Sequence, residues 1–205
     1  MALYEYLVDQ YGYNEPILLN ELTYKEYSKP WINKELAALC VSGKLIRFEK
    51  GVYYAPKMTA LGPSKLNPQK VIEKKYVASG NEKNGYYSGA FFLNQMGLST
   101  QVPNAVEIYT NAEAAKVREV MVGPMRVILR RARTPINKRN AAVQSFLELM
   151  NTVSPSFFDE ERRGIAESFI RDSGITKGDI TKYAGVFPDK AMRTLVESEI
   201  IYSIT

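Results

Sequence analysis

Five polar side chains between positions 29 and 50 carry the chemistry of nucleic-acid contact. Lys29 and Lys34 are cations suited to phosphate or to guanine O6 and N7, and Asn33 can pair bidentately with adenine. Arg47 and Lys50 follow in a second segment and are suited to backbone phosphate. A denser cluster comes later: Arg126, Arg130, Arg131, Arg133, Lys138 and Arg139 lie on and just beyond an expected strand, where they can form a phosphate patch. Strand alternation sends Arg126 and Arg130 to one face and Arg131 to the other, so the competing reading is ion pairing with Glu107, Glu113 or Glu119. The phosphate patch is favoured, with Arg130, Arg131 and Arg133 as its DNA-contacting members.

The first set needs a helix running into a hairpin. Residues 28 to 56 read as one: Ser28 can cap the helix, Pro30 suits its first turn, and Ile32, Leu36, Leu39 and Gly43 recur on one face. Leu45 to Phe48 and Val52 to Ala55 are short strands joined by the loop Glu49-Lys50-Gly51. Lys29, Asn33 and Lys34 then fall off the buried stripe, near the start of a helix of the kind that enters the major groove. Upstream, Leu3, Leu7 and Val8 suit a first helix ending near Gly12, Ile17 to Leu19 a short strand, and Asn20 can cap a second helix through Tyr24 toward Tyr27. This order predicts a winged helix-turn-helix with the hairpin as wing. The bland alternative is a small helix-hairpin module with solvated polar residues.

Ala55 to Pro68 has three prolines and no periodicity, which predicts a linker and a boundary dividing the chain into residues 1–57 and 58–205. Beyond it we expect helices from Asn67 to about Tyr76 and from Tyr86 to Met96, around a polar loop at 80–85, and strands over 105–109, 117–122 and 125–131. A helix over 141–150 opens a helical bundle of about residues 141–205, continued by 159–171, 176–184 and 188–199. The fold class is therefore α+β: a winged helix, then a mixed α+β domain with a helical tail.

Composition excludes much. Cys40 is the only cysteine and there is no histidine, which removes internal disulfides, zinc sites of the cysteine/histidine kind and histidine base catalysis. No phosphate-cradling glycine loop or nucleophile elbow is present, Cys40 reads as a packed small hydrophobe, and Glu160, Glu161, Arg162 and Arg163 as a solvated face. The expectation is no enzyme, no cofactor and no metal. No apolar run reaches the roughly 18 residues a bilayer requires, and the N-terminus lacks the order of a signal peptide, so a cytoplasmic protein is expected. Net charge is +5, split as 0 over residues 1–57, +8 over 58–139 and −3 over 140–205. The basic middle suits a polyanion, whereas the acidic end suits scaffolding or protein contact.

Gly97 to Asn111 (GLSTQVPNAVEIYTN), Val127 to Asn140 (VILRRARTPINKRN) and the hairpin LIRFEKGVYYAPK together resemble the AbiEi antitoxin family of type IV toxin-antitoxin, or abortive infection, systems. The resemblance implies an autorepressor whose winged helix binds double-stranded DNA at its own promoter, as a homodimer or as paired monomers. It places the reading helix at Lys29 to Val41, the wing at Arg47 to Tyr54 and a basic face at Arg130, Arg131 and Arg133. The antitoxin part would lie downstream and oppose a nucleotidyltransferase-like toxin without a tight complex. A rival reading is a protein-interaction module that uses its winged helix for docking.

Overall fold

The computed structural model describes residues 2–25 and 27–204. The chain divides into two compact units, residues 1–75 with 122–124, and residues 76–121 with 125–205.

In the first unit, helix α1 (Leu3–Tyr11) turns Leu3 and Leu7 inward and ends at Gly12, as its apolar spacing predicts. Strand β1 (Ile17–Leu18) follows. Helix α2 (Lys29–Val41) has Ser28 at its N-cap and Pro30 in its first turn, and it buries Ile32 and Leu36. The Ser28 side chain makes no capping bond; its carbonyl accepts from the Ile32 amide at 3.0 Å. Gly43 then takes a φ of +73°, a left-handed conformation that lets the chain leave the helix. Strands β2 (Ile46–Glu49) and β3 (Val52–Tyr54) form an antiparallel hairpin with a bulge between Arg47 and Glu49, and β1 pairs with the far side of β3. The sheet order is thus β1-β3-β2. Leu7, Ile17, Leu36 and Leu45 are fully buried in one core, each contributing about 1.5–3 kcal/mol.

The second helix expected between Asn20 and Tyr27 is absent among the described residues. Leu18 to Glu21 is a turn, closed by the Glu21 amide on the Leu18 carbonyl at 3.1 Å; the chain then runs irregularly, burying Leu22 and Tyr24 while exposing Thr23 and Lys25, and the Tyr27 amide donates to the Tyr24 carbonyl at 3.2 Å. That alternation is the period of a strand, not of a helix. Aromatic contacts hold the segment instead: Tyr27 stacks on Trp31 at 4.0 Å and on Tyr24 at 5.6 Å, and Tyr24 also meets Tyr6 at 4.9 Å. Lys25 has a φ of +48°, which a helix would not accept.

The proline-containing segment expected to be a linker folds back onto this unit. Strands β4 (Met58–Thr59) and β5 (Gly62–Pro63) form a minimal hairpin, beyond which the Tyr54 hydroxyl donates to the Ser64 carbonyl at 3.1 Å and the Lys57 amide to Ser64 Oγ at 2.9 Å. Helix α3 (Pro68–Ile72) is capped by Asn67, whose side chain accepts from the Gln69 amide at 2.9 Å, and a π-helical turn over 73–77 extends it. The compact unit accordingly runs to Lys75 rather than stopping near residue 57.

The second unit is mixed α+β. After the short pair β6 (Ala78–Ser79) and β7 (Glu82–Lys83) come β8 (Gly85–Ser88), helix α4 (Gly89–Gln95), β9 (Val106–Thr110), β10 (Val117–Val122) and β11 (Met125–Arg131). The four longer strands lie in the order β10-β11-β9-β8, with β9 and β11 parallel and β8 and β9 antiparallel. Residues 85–88, expected to open a helix at Tyr86, are a strand because Gly85 passes so close to the Tyr76 and Tyr109 carbonyl oxygens that no Cβ would fit. Tyr86 then stacks on Tyr109 at 5.3 Å across the β8–β9 pair. Helices α5 (Ala141–Thr152), α6 (Glu160–Ser173), α7 (Lys177–Ala184) and α8 (Asp189–Glu197) follow as predicted, with caps at Asp159 and a Thr176–Asp179 capping box. Phe146, Leu147, Met150 and Leu195 are fully buried where they pack together.

No helix of the described residues is long and apolar enough to cross a membrane. Counted by unit, basic and acidic side chains number 11 and 8 in the first and 16 and 14 in the second, so the basic middle of the sequence is shared between them.

Candidate nucleic-acid interface

Four of the five polar residues singled out between positions 29 and 50 line one cleft of the first unit. Lys29 and Asn33 reach it from the first turns of α2, and Arg47 and Lys50 from the β2–β3 hairpin. The α2 helix brings its pair together because positions 29 and 33 are one turn apart on the same face. The hairpin brings the other pair because the bulge after Arg47 and the positive φ of Gly51, +78°, bend the loop carrying Lys50. Lys34 is exposed on α2 but lies outside the cleft lining.

The cleft has a volume of about 720 Å³. Its floor is apolar, made of the buried side chains Leu18, Leu22, Ile32 and Val52, and its rim is cationic. Lys29, Arg47 and Lys50 are exposed and make no ion pair among the described residues; the Arg47 Nε donates to the Glu49 carbonyl at 3.4 Å. Lys75, a fourth cation on the lining, has its Nζ 2.7 Å from Glu49 Oε1. The floor and Lys75 were not among the residues expected here. Leu18 reads from sequence only as part of a short strand and Leu22 falls within the expected second helix, and the Lys75–Glu49 pair joins positions 26 residues apart, beyond the reach of a local pattern.

The later arginines are deployed differently. Arg130 Nε donates to Glu107 Oε2 at 3.1 Å across the parallel β9–β11 pair, and Arg126 donates to both oxygens of Glu119 at 2.7 Å. The Arg126 guanidinium holds the Glu119 carboxyl below the usual carboxylate range. Arg133 donates to both oxygens of Glu148, at 2.8 and 3.3 Å, and that carboxylate is only 6% exposed. The hydrogen bonds to Glu148 push Arg133 above its ordinary value, and burial pushes the adjoining Tyr109 hydroxyl up. The ion-pair reading therefore holds for Arg126, Arg130 and Arg133, each of which has a carboxylate in reach. Of the three arginines chosen as phosphate contacts, only Arg131 is exposed without an ion pair among the described residues.

Cys40 is half-buried and burial pushes its thiol up, the behaviour of a packed side chain. No group of three or more cysteine, aspartate or glutamate side chains able to hold a metal occurs among the described residues.

Fold and cleft define an α+β protein of two units, the first carrying a cation-rimmed groove between a helix start and a hairpin. The chain belongs to the family of unknown function DUF6088, whose profile matches residues 15–151. No curated protein matches it.

Proposed function

We propose that the first unit is a winged helix that binds duplex DNA, and that the protein is a DNA-binding transcriptional regulator. The observation that carries this reading is the convergence of Lys29, Asn33, Arg47 and Lys50 on one groove, after residue type and spacing alone had singled them out. The sheet order β1-β3-β2 with α2 inserted between β1 and β2 is compatible with a wing beside a reading helix. An irregular, ring-stacked segment stands where a helix-turn-helix has its second helix, so the reading relies on α2 and the hairpin. Lys29, Arg47 and Lys50 meet phosphate, while Asn33 and Lys34 meet base edges. The resemblance to AbiEi antitoxins extends this to repression of the protein's own operon and opposition to a nucleotidyltransferase-like toxin.

A second reading, docking of a protein segment, is favoured by the apolar floor of the groove. Fluorescence anisotropy on the protein's own upstream duplex and on a scrambled duplex separates the two. Asn33→Ala and Lys34→Ala should lower discrimination between the duplexes by about 1–3 kcal/mol, and Arg47→Ala and Lys50→Ala should weaken both duplexes alike. Four variants that bind like the parent would overturn the DNA reading.

A further inference from the structure

We infer that the cleft of the first unit is a binding site for a small planar anion of mononucleotide size, and that this ligand competes with DNA; the competition rests on the DNA reading above, the ligand site does not. Three observations carry it. At about 720 Å³ the cleft has the volume of a small-molecule site, for which roughly 300–1,000 Å³ is usual. A duplex is convex and meets the rim of such a concavity, whereas a single planar ring can enter it and cover the half-exposed apolar lining of Leu19 and Tyr53 above the buried floor.

The charge arrangement selects the sign. Lys29, Arg47 and Lys50 project at the rim without a carboxylate partner among the described residues, while Lys75 is satisfied by Glu49. The carboxylate on the lining, Glu21, lies 4.0 Å from the Lys74 Nζ and so has a cation of its own. Three unneutralised cations over low-dielectric walls focus a positive potential into the cleft. The ligand is therefore a ring with an attached phosphate or comparable anion: ring on that apolar lining, anion at Arg47 and Lys50, and Asn33 within the lining to hydrogen-bond ring edges. Occupation would neutralise the cations that hold DNA phosphate, making the protein a ligand-released DNA binder.

The experiment is a chemical-shift titration of the full chain with three probes: deoxyadenosine monophosphate, deoxyadenosine and inorganic phosphate. The nucleotide should bind at least about tenfold more tightly than either fragment, because ring burial and charge contacts add on one rigid ligand. Arg47→Ala/Lys50→Ala should weaken the nucleotide by about tenfold or more, whereas Lys44→Ala, outside the lining, should leave it unchanged. Arg47 and Lys50 are exposed, and circular dichroism confirms that the variant is folded. Phosphate binding as tightly as the nucleotide, deoxyadenosine binding as tightly, no shifts with any probe, or an unaffected double variant would each overturn the ligand site. A second arm adds the nucleotide to the chain bound to its upstream duplex and reads anisotropy: displacement supports competition, and retention of DNA by nucleotide-saturated protein overturns it. Nucleotide binding with no DNA binding at all would sink the DNA reading and the competition, and leave the ligand site standing.

Discussion

Arg133, two residues beyond the end of β11, has its guanidinium held on several sides. Glu148 accepts from its Nε and Nη2, and the ring centroids of Tyr109 and Phe187 lie 5.5 and 5.2 Å from its central carbon. Removing it strands a carboxylate that is 6% exposed, so Arg133→Ala should destabilise the protein by about 2–4 kcal/mol, the lower end reflecting a guanidinium still 26% exposed. Urea unfolding measures this, and a loss below about 0.5 kcal/mol would show the pair to be dispensable. Arg131, three-dimensionally free of any carboxylate among the described residues, should tolerate alanine within about 0.5 kcal/mol. It follows that replacing Arg130, Arg131 and Arg133 together would confound lost folding with lost DNA binding. Arg131→Ala alone is the informative substitution for a phosphate contact on this strand.

At the scale of elements, β8 depends on a contact no helix or strand period encodes. Any side chain at Gly85 meets the carbonyl oxygens of Tyr76 and Tyr109, which are backbone and cannot swing away. Gly85→Ala should therefore cost at least about 1–3 kcal/mol and lower the thermal midpoint, while Gly164→Ala, with open space around its Cβ in the middle of α6, should raise stability by about 0.5–1 kcal/mol. Differential scanning calorimetry of both variants tests the pair, and equal midpoints would refute it. The same contrast explains what was legible in the sequence. Elements α1, α2, the β2–β3 hairpin, β9 to β11 and α5 to α8 follow from apolar period, caps and turn glycines, all local signals. The irregular run from Leu22 and the start of β8 were misread as helix, because a ring stack reaching Trp31 and a backbone approach to Tyr109 override plausible caps. The cleft's charged rim was legible for the same local reason; its floor was not, since β1, α2 and β3 must pair before Leu18, Ile32 and Val52 meet.

For the whole molecule, the distribution of charge limits how DNA binding can behave. Three cations on the groove lining have no carboxylate partner among the described residues, Lys29, Arg47 and Lys50, and these are the ones assigned to phosphate. The logarithm of affinity against the logarithm of salt should then fall with a slope of about −3. A measured slope steeper than about −6 would require phosphate contacts well beyond these three and would overturn this assignment.

The composition of the first unit also sets a timetable. Its contacts include residues 122–124, where Gly123 lies so close to Phe48 and Pro68 that an added Cβ would crowd the Phe48 ring. A ribosome that has just released Lys75 has therefore not yet supplied the last piece of this unit and must add 49 more residues before Pro124 exists. At about 5–20 residues per second that is a wait of roughly 2–10 s. During translation every residue that lines the groove is therefore synthesised before residues 122–124, and for that interval Phe48 lacks the neighbour that Gly123 provides.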